Sequence, residues 1–273
     1  MDQTKFQEAK QAYDAGDFRT AAKSFLASAG RGSAGNGVAY HMAGNALIRL
    51  RRYQDAVTVY GHALRDETYD RRGAVNANIG QAYHAMGEYA DAVKAFEAAL
   101  AEPDYPSPYK AWQGMASALL ERNRIDEAAA AYRKAALDPE NPDAGKALVN
   151  LGLCFMALSR PGDAAEAYKA ALGFEEYLGR GKALANLGQA YVAMGEYAEA
   201  VRAFEKATQL HGHQLSPAAS AGYERAVHES RPQHETVEGW VTGEMAPVLD
   251  AEPTGWHTGE MAALAADEPL SQP

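Results

Sequence analysis

Residues 79–100, IGQAYHAMGEYADAVKAFEAAL, return nearly intact 108 positions later as LGQAYVAMGEYAEAVRAFEKAT at 187–208. That offset is three steps of 36, and weaker copies occupy the steps between. A small residue recurs as Gly44, Gly80, Ala116, Gly152 and Gly188, and an alanine as Ala56, Ala92, Ala128, Ala164 and Ala200. Four residues after that alanine comes an aromatic: Tyr60, Phe96, Tyr132, Tyr168 and Phe204. A second alanine follows at Ala63, Ala99, Ala135, Ala171 and Ala207. An earlier copy, shifted by 35, carries Ala9, Gly16, Phe18, Ala21 and Phe25, which makes six units. Repetition at this length constrains the fold more than any other feature. One unit cannot bury its apolar side alone, so neighbours must stack to complete a continuous core.

Within each unit the pattern reads as helix–turn–helix. Leu184, Leu187, Gly188 and Tyr191 follow the i, i+3, i+4, i+7 spacing of one helix face. Gly16, Gly87 and Gly195 stand where a left-handed residue would end the first helix. In the second helix, alanines let neighbours approach closely and the aromatic fills the space between units. Pro103, Pro106, Pro108, Pro139 and Pro142 punctuate unit boundaries, since proline cannot continue a helix. Units are expected at about 3–36, 37–72, 73–108, 109–144, 145–180 and 181–214. Ser216-Pro217 is a helix start, serine as N-cap and proline at the first helical position, so a capping helix is expected over 217–229 with Tyr223 and Val227 on one face.

These residues resemble the tetratricopeptide repeat, whose pattern runs Trp, Leu-Gly, Tyr, then Ala, Phe, Ala and a closing Pro. The resemblance spans roughly residues 3–210. It implies an all-α chain: a right-handed α-solenoid of six helical hairpins with a C-terminal capping helix, ending in an acidic tail. There are departures. The usual period is about 34, so the second helix or the inter-repeat loop is expected to be longer here. Trp112 is the one tryptophan at its motif position, Pro161 replaces a turn aromatic, and Ala9 replaces the first mid-helix glycine.

Composition narrows the function class. Hydrophobic residues make up 47% and charged residues 23%, as in a folded soluble domain. The formal net charge is −10, and eight acids face the single base Arg231 from residue 231 onward, so the first 230 residues are nearly neutral. Nucleic-acid binding needs a field of lysine and arginine, which opposes an RNA-binding helical repeat of the pentatricopeptide kind. The start at Met1–Lys5 shows no leader pattern, and no apolar run approaches the about 18 residues of a membrane span. With Cys154 as the only cysteine, the expected location is the cytoplasm.

The resemblance further implies that the first helices line a concave face where ligands bind. Lys110, Lys146 and Lys182 recur there at one position, Asn78, Asn150 and Asn186 at another, and Asn45, Gln81 and Gln189 follow the small residue. Asparagine can donate to and accept from a peptide backbone, and lysine can meet an acidic side chain or a C-terminal carboxylate. These nine residues are the candidate peptide groove, against the alternative of an ordinary solvated face. Asn150, Lys182 and Asn186 fall where the family's carboxylate clamp places its residues, but Gln113 and Ser117 stand where lysine and asparagine would be expected, so that specificity is not assigned.

Beyond Arg231 the helical pattern stops, and residues 231–273 are expected to be a disordered acidic tail. The tail repeats Gly-Trp-x-Thr-Gly-Glu-Met-Ala at 239–246 and 255–262. Trp240, Met245, Trp256 and Met261 are therefore candidate anchors of a bivalent docking segment, whose target is either a partner or the chain's own groove. No catalytic or phosphate-binding signature is present, and no cofactor is expected. His211 and His213 flank Gly212 and read as a solvated loop, and Cys154 reads as a small buried side chain. The expected function is a non-enzymatic scaffold or adaptor for a peptide or protein, with a regulatory subunit of an enzyme complex as the alternative.

Overall fold

The computed structural model describes residues 1–30, 35–210 and 212–231. The tail positions Trp240, Met245, Trp256 and Met261, together with His211, lie outside the described residues. The described part contains thirteen helices and no strand. Six hairpins follow one another: α1 (Gln3–Asp14) with α2 (Phe18–Ser28), α3 (Gly37–Arg49) with α4 (Tyr53–Leu64), α5 (Arg72–Met86) with α6 (Tyr89–Leu100), α7 (Pro108–Glu121) with α8 (Ile125–Leu137), α9 (Ala144–Ala157) with α10 (Pro161–Leu172), and α11 (Arg180–Met194) with α12 (Tyr197–Gln209). Helix α13 (Pro217–Glu229) closes the array against α11 and α12. Each helix packs on the next, and the first helices also touch at α3–α5, α5–α7 and α9–α11, so the core is a serial solenoid.

The repeated small and aromatic positions form that core. Ala56, Ala92, Ala128, Ala164 and Ala200 have no exposed surface. Nor do Phe25, Tyr60, Tyr168 and Phe204, with Phe96 at 1%. The mid-helix glycine exists for the ring of its own hairpin: a Cβ on Gly44 would sit 2.3 Å from Tyr60, and one on Gly152 2.4 Å from Tyr168. Cys154 is buried as expected, and burial pushes its thiol up to about 11.

Each first helix ends on a residue with positive φ at one register position: Gly16, Arg51, Gly87, Asn123, Ser159 and Gly195. Only three of the six are glycine, so Arg51, Asn123 and Ser159 hold the left-handed turn without one.

The extra length over the shorter repeat lies in the segments between hairpins, 65–71, 101–107, 138–143 and 173–179, while second helices remain 11–13 residues long. These segments fold back on the start of their own hairpin. Tyr69, Tyr105 and Tyr177 cover Gly37, Gly73 and Gly145, where a Cβ would lie 2.6–2.9 Å from the tyrosine side chain. Buried Asp66 accepts from the Gly37 amide (2.7 Å), and Asp138 accepts from the Tyr109 amide (3.0 Å), capping α3 and α7 from 29 residues away. The Thr68 hydroxyl, with backbone amides, pulls Asp66 down to about 2. Arg72 and Arg180 each donate to the last carbonyl of the preceding hairpin, at Leu64 and Leu172, both at 2.8 Å.

The capping helix starts as its sequence predicts, the Ser216 hydroxyl accepting from the Ala219 amide at 3.3 Å. Its buried stripe is Ala219, Gly222 and Ala226, with Tyr223 at the edge packing edge-to-face on Phe204. The small residues face inward because Gln189 leaves no room over Gly222, where a Cβ would meet its amide at 2.8–2.9 Å.

Candidate functional site

The nine candidate groove residues divide into three groups. Asn45 and Asn78 are tied into a closed network at the junction of the second and third hairpins. The Tyr60 hydroxyl donates to Asn45 Oδ1 (2.7 Å), and Asn78 Nδ2 donates to the same oxygen (3.0 Å). Asn78 Nδ2 also reaches His41 Nε2 (3.1 Å), and His41 Nδ1 lies 2.7 Å from the Tyr69 hydroxyl. Because Nε2 accepts, Nδ1 carries the proton and donates to Tyr69, so His41 is neutral. Burial, with the nearby Arg71 cation, pushes His41 down to about 4. These polar atoms are spent inside the solenoid. Above them a cavity of about 920 Å³ opens between the loops, lined by His41, Tyr69, Arg72, Glu102 and Tyr105, with Arg72 paired to Glu102 at 3.3 Å.

Gln81 and Lys110 form the second group. Both are exposed, and the Lys110 ammonium rests 5.6 Å from the Tyr109 ring.

The third group comes together at the C-terminal end. Lys146, Asn150 and Lys182 line a cleft of about 470 Å³, floored by Val149 and Tyr177. Lys182, Asn186 and Gln189 line a neighbouring cleft of about 750 Å³, walled by Leu153, Met156, Tyr168, His213 and the start of α13. Lys182 belongs to both, so the two clefts adjoin along α11. Gln189 is anchored by donating to the Ala218 carbonyl at 2.6 Å, which fixes α13 as one wall.

Three residues of the larger cleft carry buried polar atoms with no hydrogen-bond partner among the described residues: the Tyr168 hydroxyl, Asn186 Nδ2 and His213 Nε2. Buried polar groups are nearly always paired, so three in one cleft call for an explanation. Tyr168 and His213 were not candidates from sequence, because Tyr168 reads as a packing aromatic and His213 as a loop residue. The signal that finds them is a comparison between hairpins of what stands opposite each polar side chain.

Two profiles of the tetratricopeptide repeat match the chain, one over residues 41–107, 77–142 and 114–177 and the other over 181–213. No curated protein matches it in sequence. Among solved structures, PilW, a type IV pilus biogenesis factor, is similar at a TM-score of 0.58 and 19% identity, covering 83% of this chain and 98% of that one. The MamA protein is similar at 0.56 and 21%, covering 66% and 98%. YrrB, described as a TPR protein with an unusual peptide-binding site, is similar at 0.53 and 18%, covering 70% and 90%. At these identities the likeness is one of fold. The profile matches span more than half of a chain built from stacked helical hairpins, and the chain belongs to the tetratricopeptide repeat family.

Proposed function

We propose that the chain is a non-catalytic binding protein that holds an extended peptide or protein segment on its last two hairpins and capping helix. The observation that carries this is the pair of adjoining clefts along α11, where five of the nine candidate groove residues meet: Lys146, Asn150, Lys182, Asn186 and Gln189. The clefts combine exposed lysines, carboxamides and an apolar wall of Leu153 and Met156, a mixture suited to a peptide with both polar backbone and side-chain anchors. The same residue types near the N-terminus, Asn45 and Asn78, are already engaged with each other, so the guest belongs at the C-terminal end. YrrB offers a parallel for a peptide-binding role on this fold.

The acidic tail completes the proposal. Trp240 with Met245 and Trp256 with Met261 form two copies of one docking motif, and their linkage raises avidity for a partner with two sites. The tail's own acids also make it a competitor for the lysine-bearing clefts, in the same or a second copy.

The test is site-specific photo-crosslinking in full-length protein, with the photoreactive residue placed at Lys182 or at Arg202 on α12, and with or without residues 231–273. Crosslinks to partner proteins are expected from position 182 and not from 202. Equal or stronger capture from 202 rejects the groove. Unchanged partner capture after tail deletion rejects the docking role of the tail.

A further inference from the structure

The two ends of the solenoid hold one polar arrangement in two states. Residues 108 positions apart occupy equivalent places, so Tyr168 corresponds to Tyr60 and Asn186 to Asn78. At the second hairpin both donors share one acceptor, the carboxamide oxygen of Asn45, and Asn78 has His41 as a second partner. At the fifth hairpin the equivalents of those two partners are apolar: Leu153 stands for Asn45 and Val149 for His41. The donors remain while both partners are gone. The Tyr168 hydroxyl and Asn186 Nδ2 are accordingly two of the three buried atoms of the larger cleft left unpaired among the described residues, and Tyr168 has no exposed surface.

Hydroxyl loss at this position is tolerated by the fold, because Phe96 and Phe204 occupy it in the third and sixth hairpins. An unpaired buried hydroxyl costs stability that phenylalanine would not incur. The Tyr168 hydroxyl therefore carries a cost to folding, as expected of a group whose partner comes from outside.

Resting on the peptide-binding function proposed above, we infer that the cleft between the fifth hairpin, the sixth hairpin and α13 captures an asparagine or glutamine side chain of the bound peptide. The guest's carbonyl oxygen accepts from the Tyr168 hydroxyl and Asn186 Nδ2, as Asn45 Oδ1 accepts from Tyr60 and Asn78. Its amide group lies toward Asn150 in the adjoining smaller cleft; Asn150 holds the place of Met42, the residue whose sulfur faces Asn45 Nδ2 at 3.9 Å. His213 Nε2 and the exposed Lys182 complete the polar rim. A carboxamide fits better than a carboxylate, because both buried donors are neutral and an ion would lose more hydration than two neutral hydrogen bonds return. Leu153, 41% exposed, sets this specificity by withholding the internal acceptor.

The experiment uses full-length protein and four capped tripeptides, Ac-Gly-X-Gly-NH2 with X as Asn, Gln, Asp or Leu, followed by amide NMR at the Asn186 side chain and by thermal melting. The Asn and Gln peptides are expected to shift the Asn186 signals, with the Leu peptide about tenfold weaker. Leu153→Asn rebuilds the second-hairpin arrangement within the chain. It should raise the melting temperature by about 2–4 °C and abolish the Asn186 response. Tyr168→Phe should weaken the Asn peptide about tenfold without lowering the melting temperature. A preference for Asp overturns the inference in favour of a carboxylate site led by Lys182. Equal binding of Leu and Asn peptides, or undiminished binding by Leu153→Asn, overturns it outright. If crosslinks from position 182 still capture a partner in those cases, the groove stands and only the carboxamide specificity falls. Loss of those crosslinks removes the groove itself.

Discussion

His41 carries the sharpest consequence at the scale of a single residue. It is 8% exposed, accepts from Asn78 and donates to Tyr69, and it stays neutral down to about 4 because burial and Arg71 oppose its charge. In the unfolded chain an ordinary histidine titrates near 6.5. Between those values the unfolded state binds a proton that the folded state refuses. The stability contributed by neutral His41 is thus complete above about 6.5 and lost as pH falls toward 4, by up to about 3 kcal/mol. Urea unfolding at pH 7 and pH 4.5 measures it. His41→Gln should remove most of the difference, and an equally steep fall in that variant would assign the effect elsewhere. The same side chain shows how far single residues can be read in advance. Gly44 and Gly152 announce themselves by recurrence, but nothing local to His41 tells that its ring nitrogens meet residues 28 and 37 positions away.

At the scale of the element, the turn between paired helices is the most regular feature. Six first helices end on a left-handed residue at one register position, and three of those six have a side chain there. A left-handed non-glycine residue costs about 1–2 kcal/mol, partly offset by the greater unfolded-state entropy of glycine. Ser159→Gly and Arg51→Gly should each stabilise the chain by about 0.5–1 kcal/mol, and Asn123→Gly by less, since asparagine tolerates this conformation. Denaturant midpoints of the three variants check the order. No gain at Ser159 would mean that its backbone is held there without strain. The inter-hairpin segments were harder to read. The period of 36 predicts added length in either the second helix or the loop, and the structure puts it in the loop, where tyrosines seat on glycines and aspartates cap helices across the hairpin.

Across the whole molecule, serial packing makes the C-terminal cap a local device with a local range. Helix α13 covers Phe204 through Tyr223 and closes the wall of the larger cleft through Gln189 and Ala218. In a solenoid each unit depends on its immediate neighbours, so loss of a cap frays the adjacent unit first. Truncation after residue 210 should accelerate hydrogen exchange in α11 and α12 while leaving α1 to α6 nearly as protected as before. Uniform loss of protection along the chain would show that the array unfolds as one body. The truncation also opens the candidate binding cleft on one side, so fraying and loss of peptide binding should come together.

The sequence alone determined the architecture, because period, small residues and aromatics repeat in phase and each acts within its own unit or on the unit next to it. It also placed Lys146, Asn150, Lys182, Asn186 and Gln189 on one kind of helix face. What only the tertiary structure decided is which of the identical-looking polar residues are free. Asn78 and Asn186 share one register position, yet Nδ2 of the first is bound to Asn45 and His41 and Nδ2 of the second has no hydrogen-bond partner among the described residues. That difference depends on residues 33 and 37 positions away on a neighbouring hairpin, where Leu153 and Val149 replace an asparagine and a histidine. Hydrogen bonds are short-ranged and directional, so a periodic sequence can specify a stack of hairpins without revealing which of its donors the stack has already satisfied.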